Sequence, residues 1–175
     1  MTAWHLLTEH WGAWALWSLI GSAVMATLLE GAQLLGISRL SLPFLMGTMA
    51  TEDRRWAMIL GYTAYLIGGF LFGLLYALVM GAFPAASVWA YILAGVLTGL
   101  VHGLFLVTVA LPLWPNIHPR LTSDYDGPEA LIRMEPPGPF GTNYGFATPG
   151  VAVGAQTLFG LLMGIGYGAA LAHGG

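Results

Sequence analysis

Residues 56–80 read WAMILGYTAYLIGGFLFGLLYALVM, without one charged side chain. A run of this length and apolarity exceeds the ~20 residues that carry an α-helix across the ~30 Å hydrocarbon layer of a bilayer. Three further stretches are of the same kind: Ala13–Gly36, Val88–Leu113 and Gly150–Ala172. Lipid offers the backbone no water partners, so open-ended segments that cross it must be helical. The chain therefore reads as all-α: an integral membrane four-helix bundle in one transmembrane domain, residues 1–175, with helices at about 13–36, 56–80, 88–113 and 150–172.

Composition points the same way. Hydrophobic residues make up 57 %, charged residues only 7 %, and mean hydropathy is +0.75. A soluble domain carries roughly 25 % charged residues because its surface faces water. This chain cannot cover a wet surface, so its first partner is the bilayer. The net charge of −3, with no lysine and no basic run, excludes nucleic acid as a partner, because phosphate binding needs clustered Lys and Arg. The lack of cysteine removes disulfides, thiolate metal sites, iron–sulfur clusters and Cys nucleophiles. The first basic residue is Arg39, so the N-terminus lacks the basic start of a cleaved signal and the first helix is expected to be retained.

The links set an expected orientation. All five arginines lie in the first link (Arg39, Arg54, Arg55) or the third (Arg120, Arg133). The short second link, residues 81–87, has none. By the positive-inside rule the arginine-bearing links are cytoplasmic and both termini face outward. Trp14, Trp17 and Trp89 then fall near the outer ends of the helices, and Trp56 and Trp114 near the inner ends, as interfacial aromatic belts do. Residues 2–12 put Trp4, Leu7 and Trp11 on one helical face; this segment either lies in the headgroup layer or extends the first helix.

An internal echo suggests two similar helical hairpins. Leu71-Phe72-Gly73-Leu74-Leu75 returns as Leu158-Phe159-Gly160-Leu161-Leu162. More loosely, Leu29-Glu30-Gly31 corresponds to Val101-His102-Gly103, and each is followed by Leu-Pro. Hairpins of equal orientation would be related by an axis along the membrane normal. Glycines recur every fourth residue at Gly95, Gly99 and Gly103, at Gly160, Gly164 and Gly168, and at Gly69 and Gly73. Such spacing bares one helix face for close backbone approach. That face either packs within the chain or accepts another subunit, or a ligand such as a quinone, pigment or lipid.

Glu30 and His102 are the ionisable residues within the spans, where charge is costly and marks a pathway or a partner. Their matched positions in the repeat suggest an intramembrane polar pair. It would serve either as a clasp fixing helix register or as a proton or cation site, since His titrates near neutral pH. No metal centre is expected. Asp124, Asp126 and Glu135 hold the first, third and twelfth positions of a calcium loop, but Pro128 occupies the fifth and the glycine falls at the fourth rather than the sixth. His5, His10 and His173 have no enforcing spacing. No nucleophile triad, phosphate loop or dinucleotide fingerprint occurs.

The third link, residues 114–149, is long and rich in proline interleaved with Trp, Ile, Phe and Tyr. Prolines stiffen it and the aromatics give it something to pack with, so it reads as an ordered cytoplasmic cap carrying His118, Arg120, Asp124, Asp126 and Arg133. His118-Pro119-Arg120 after Leu111-Pro112, the Glu135-Pro136-Pro137-Gly138 turn and a glycine-rich last helix with Tyr167 are the motifs by which the chain resembles a group of bacterial four-helix membrane proteins of unknown function. The resemblance runs from Leu29 onward. It implies a shared fold and supplies no activity; the expected location is the bacterial cytoplasmic (inner) membrane. The sequence thus favours a non-enzymatic accessory or scaffold subunit, packed against other membrane subunits or itself. The alternative is a small oligomeric transporter or channel with Glu30 and His102 on its path. A membrane enzyme would have to draw on His118, Arg120, Asp124 and Asp126, whose spacing matches no mechanism.

Overall fold

A computed structural model describes residues 3–83, 86–121 and 134–173; Asp124, Asp126 and Arg133 of the expected cap lie outside them. The chain is helical, and the described residues hold no strand beyond one isolated bridge, Leu121 to Met134. Helices α1 (Ala3–Glu9) and α2 (Trp11–Leu34) are followed by a short α3 (Leu42–Thr48) and by α4 (Arg54–Gly81). Next come α5 (Val88–Phe105), a π turn (Leu106–Ala110), α6 (Leu111–Leu113) and a 3-10 turn (Trp114–Asn116). A second 3-10 segment (Pro139–Tyr144) precedes α7 (Thr148–His173). Four segments are long and apolar enough to cross a membrane: Trp11–Leu34, Arg54–Gly81, Val88–Asn116 and Thr148–His173.

Local chemistry explains where these segments begin and end. Gly36 takes φ +70°, and the Ile37 amide reaches back to the Ala32 carbonyl, which closes α2 at Leu34, two residues short of the expected end. Asp53 accepts the Trp56 amide at 2.8 Å, so α4 starts at Arg54 rather than at Trp56. The third span continues through Leu111-Pro112 to Asn116, whereas its end was expected at Leu113. Proline has no N–H for the carbonyl four residues back and crowds it. The chain widens just before it, with the Leu111 amide bonded five residues back to Leu106, a π turn that lets the helix carry on. The N-terminal segment is a helix of its own, separated from α2 at His10, with the Trp14 indole donating to the Leu7 carbonyl at 3.2 Å.

Two compact units share these helices. The first comprises Met1–Leu28, Leu66–Gly103 and Val153–Gly175; the second comprises Leu29–Tyr65 and Leu104–Ala152.

Small residues dominate the packing of the first unit. A Cβ on Gly95 would overlap the Gly160 carbonyl, and one on Gly160 would overlap that of Gly95. Gly99 and Gly103 lie equally close to Gln156 and Val153, and Gly164 and Gly168 to Ile92 and Tyr91. The glycine faces of α5 and α7 therefore fill one another. Neither has room there for a quinone, a pigment or an acyl chain. Gly69 and Gly73 of α4 receive the hydroxyls of Ser22 and Ser18 from α2. Those hydroxyls donate to carbonyls four residues back, Ser22 to Ser18 at 2.7 Å and Ser18 to Trp14, so neither hydroxyl is stranded. Around this lattice Tyr76, Tyr91, Phe159, Met163 and Tyr167 are fully buried.

The second unit folds the links themselves. Ser41 caps α3 by accepting the Phe44 amide at 3.3 Å, with Pro43 in the first turn. α3 lies against the start of α4 so closely that Gly47 abuts the Ala57 carbonyl and Gly61 that of Pro43. The π turn and α6 pack on the Pro139–Tyr144 segment. Leu40, Leu42, Leu45, Leu111 and Leu121 form the apolar centre, beside a Ser38–Thr148 hydroxyl pair at 2.8 Å.

Candidate functional site

The polar residues of the second unit gather where α3 ends. An α-helix leaves its last carbonyls without helical partners, at the negative end of its dipole. Arg120 supplies the missing donors. Its Nη1 donates to the carbonyls of Thr48 and Met49, and its Nε to Glu52 at 3.4 Å. His118, only 3 % exposed, completes the clasp. Its Nε2 lies 2.9 Å from the Leu45 carbonyl and 3.2 Å from the Thr48 hydroxyl, while its Nδ1 lies 3.1 Å from the Arg120 amide. A carbonyl only accepts and an amide only donates, so Nε2 carries the proton and Nδ1 does not. The ring is thereby held neutral. Burial lowers its basicity from the ordinary value and the Arg120 charge lowers it further, against the opposing pull of the Leu45 carbonyl.

A second cluster ties the first link to the Glu-Pro-Pro-Gly turn. The Arg39 amide donates to the Tyr144 carbonyl at 2.6 Å, and its Nη2 donates to Glu135 Oε2 at 3.0 Å and to the Asn143 carbonyl. The Tyr144 hydroxyl donates to the Glu135 carbonyl at 2.7 Å. Burial, and after it the Glu135 charge, hold this phenol above its usual range while Arg39 opposes, so it remains a donor. Arg39, Ser41, Glu135 and Tyr144 bound a cavity of about 230 Å³ that is floored by Phe44 and Met134. Glu30 adjoins the same loop: the Ser41 hydroxyl donates to it at 3.5 Å, and the Tyr62 phenol is its neighbour.

His102 belongs to the first unit, whereas Glu30 belongs to the second. The imidazole stacks on Phe72 with ring centres 4.0 Å apart, and its Nδ1 shares a hydrogen bond of 3.2 Å with the buried Tyr76 hydroxyl. Two histidines near the termini have partners of their own. His5 pairs with Glu9 at 3.2 Å, and His173 approaches the Ala169 carbonyl of its own helix. Among the described residues no three His, Asp or Glu side chains come together as metal ligands.

No protein-family model, curated protein or solved structure matches the chain. Of the cap residues, His118 and Arg120 are brought together on α3. Sequence reasoning does not join Arg39, Ser41 and Thr48 to the later link. One signal was available, a serine two residues ahead of a proline, which marks a helix start inside the first link. Four buried polar atoms find no partner among the described residues: the Tyr65 and Tyr167 hydroxyls, Trp114 Nε1 and Gln156 Oε1.

Proposed function

We propose that this multi-pass membrane protein is a non-enzymatic accessory or scaffold subunit of a larger membrane assembly. We place it in the bacterial cytoplasmic membrane, with its arginine-bearing links inside and its termini outside. The observation that carries this reading is the commitment of the polar side chains. His118, Arg120 and Arg39 all hydrogen-bond main-chain carbonyls or amides of distant segments, whereas a catalytic group must face a substrate. α5 meanwhile uses its glycine face for α7 and leaves Leu93, Leu97, Leu100 and Val101 exposed, a stripe that lipid or a partner helix would cover. We read the two hairpins as a duplication. In support, each matched glycine meets its own hairpin's other helix, Gly73 at Ser18 and Gly160 at Gly95.

A photocrosslinking side chain placed at Leu97 in native membranes tests the subunit reading. A discrete protein adduct of constant mass is expected; lipid adducts alone would sink the idea. The alternative, a small oligomeric transporter or channel with Glu30 and His102 as a proton or cation site, draws on one observation. Glu30 lies within a candidate span and, among the described residues, contacts hydroxyls and forms no ion pair. Proteoliposome flux that Glu30→Gln abolishes would favour it over the scaffold.

A further inference from the structure

The cavity bounded by Arg39, Ser41, Glu135 and Tyr144 mixes charged and apolar residues. It sets a cation and an anion side by side at its rim, above the apolar floor of Phe44 and Met134. We propose that it binds the headgroup of a membrane phospholipid bearing both a phosphate and a primary amine. The proposal goes beyond the subunit reading and requires only that the chain sit in a bilayer.

Three observations converge on it. Arg39 makes both of its side-chain hydrogen bonds through Nη2, which leaves Nε and Nη1 as donors for a phosphate. Its partner Glu135 uses Oε2, which leaves Oε1 as an acceptor for an ammonium. A phosphate alone would lie beside the Glu135 carboxylate and be repelled by it; an attached ammonium removes that repulsion. A quaternary amine would bring charge but no N–H to donate. Size is the second observation. At about 230 Å³ the cavity is smaller than the ~300–1,000 Å³ that hold drug-sized ligands, and it suits a headgroup. Position is the third. Arg39 follows α2 by five residues, where a spanning helix reaches headgroup depth. Leu34 and Leu35 beside it are 89 % and 76 % exposed and offer acyl chains an apolar surface.

Native mass spectrometry of the detergent-purified protein is the test. The probes are phosphatidylethanolamine, phosphatidylglycerol and phosphatidylcholine of matched chains, with soluble glycerophosphoethanolamine as the headgroup alone. Phosphatidylethanolamine should be retained at least about tenfold more tightly than the other two lipids, the scale of one charge-assisted hydrogen bond. Arg39→Gln should lose about tenfold for it. Glu135→Gln should bind phosphatidylethanolamine and phosphatidylglycerol alike. Should Arg39→Gln fail to fold, the selectivity of the wild-type protein and its loss in Glu135→Gln still decide. Equal retention of all three lipids, or selectivity surviving Glu135→Gln, would overturn the proposal. Binding of the soluble headgroup as tightly as the lipid would overturn the assignment to a lipid.

Discussion

Where α5 meets α7, in the first unit, backbone lies against backbone and almost no hydrogen bond passes between them; where α3 ends, in the second, one arginine and one histidine from a segment some seventy residues away supply the hydrogen bonds that hold it. The contrast fits the surroundings proposed for each part. Inside lipid there is no hydrophobic gain from bringing helices together, so association depends on close van der Waals fit between small residues. Links at the membrane surface contain broken helices and turns whose carbonyls need donors, so polar side chains take over. A cluster of charged residues in the links of such a chain is therefore first to be read as repair of the backbone, and only then as chemistry.

Substitutions can break either side of this contrast. The largest effect belongs to Gly95→Leu, which forces a side chain into the Gly160 carbonyl; more than about 3 kcal/mol of stability should be lost, read from thermal unfolding in detergent. Hydrogen exchange should rise in α5 and α7, and an unchanged melting curve would show that the close approach is dispensable. Arg120→Ala comes next, at about 2–3 kcal/mol, with exchange rising over residues 42–52 instead. Arg120→Lys should recover only part of this, because one ammonium lacks the planar fork that reaches several oxygens.

Acidification sharpens the comparison further. His118 is less basic folded than free, so the unfolded chain takes up its proton first. The contribution is whole above the ordinary histidine value near 6.5, declines as pH falls through it, and levels off below the lowered folded value. A pH series of unfolding midpoints should show that limb in the parent protein and a shallower one in His118→Gln. Ser41→Ala removes the α3 cap and should cost about 1 kcal/mol. Glu135→Gln is the mildest, below about 1 kcal/mol, because its pair with Arg39 is largely exposed to solvent. A large loss there would mean that the two links lean on each other more than their exposure suggests.

Much of the fold was legible in the apolar runs, because length and hydrophobicity alone decide whether a helix can cross lipid. Four spans were expected, and the helices are long and apolar enough for four. What was missed lies at the ends and in the links. α3 is one short helix of seven residues, below the length at which apolar periodicity speaks, and only Ser41 and Pro43 announce it. The third span was expected to end at Leu113, one residue past Pro112, but a neighbouring turn widens to accommodate the proline and the helix runs on. The clasp was half visible: His118 and Arg120 stood out by type, but their partners are mostly main-chain carbonyls, which carry no signature in a sequence. Glu30 and His102 stood out for their charge in apolar runs, yet Ser41, Tyr62, Phe72 and Tyr76 beside them are ordinary residues that only three-dimensional packing selects.

The π turn at Leu106–Ala110 has a consequence for how this chain tolerates change in length. A π turn holds one residue more than the α turn it replaces, and one residue sets a helix round by about 100°. Deleting any one residue between Leu106 and Ala110 would close the wide turn to an ordinary α turn and leave Leu111, Pro112 and Trp114 on nearly the same azimuth, whereas a one-residue change in the regular helix before it would swing them round and pull Leu111 away from Gly141. The wide turn thus works as a store of one spare residue just ahead of Pro112. A single deletion that the regular helix would accept poorly would be absorbed here.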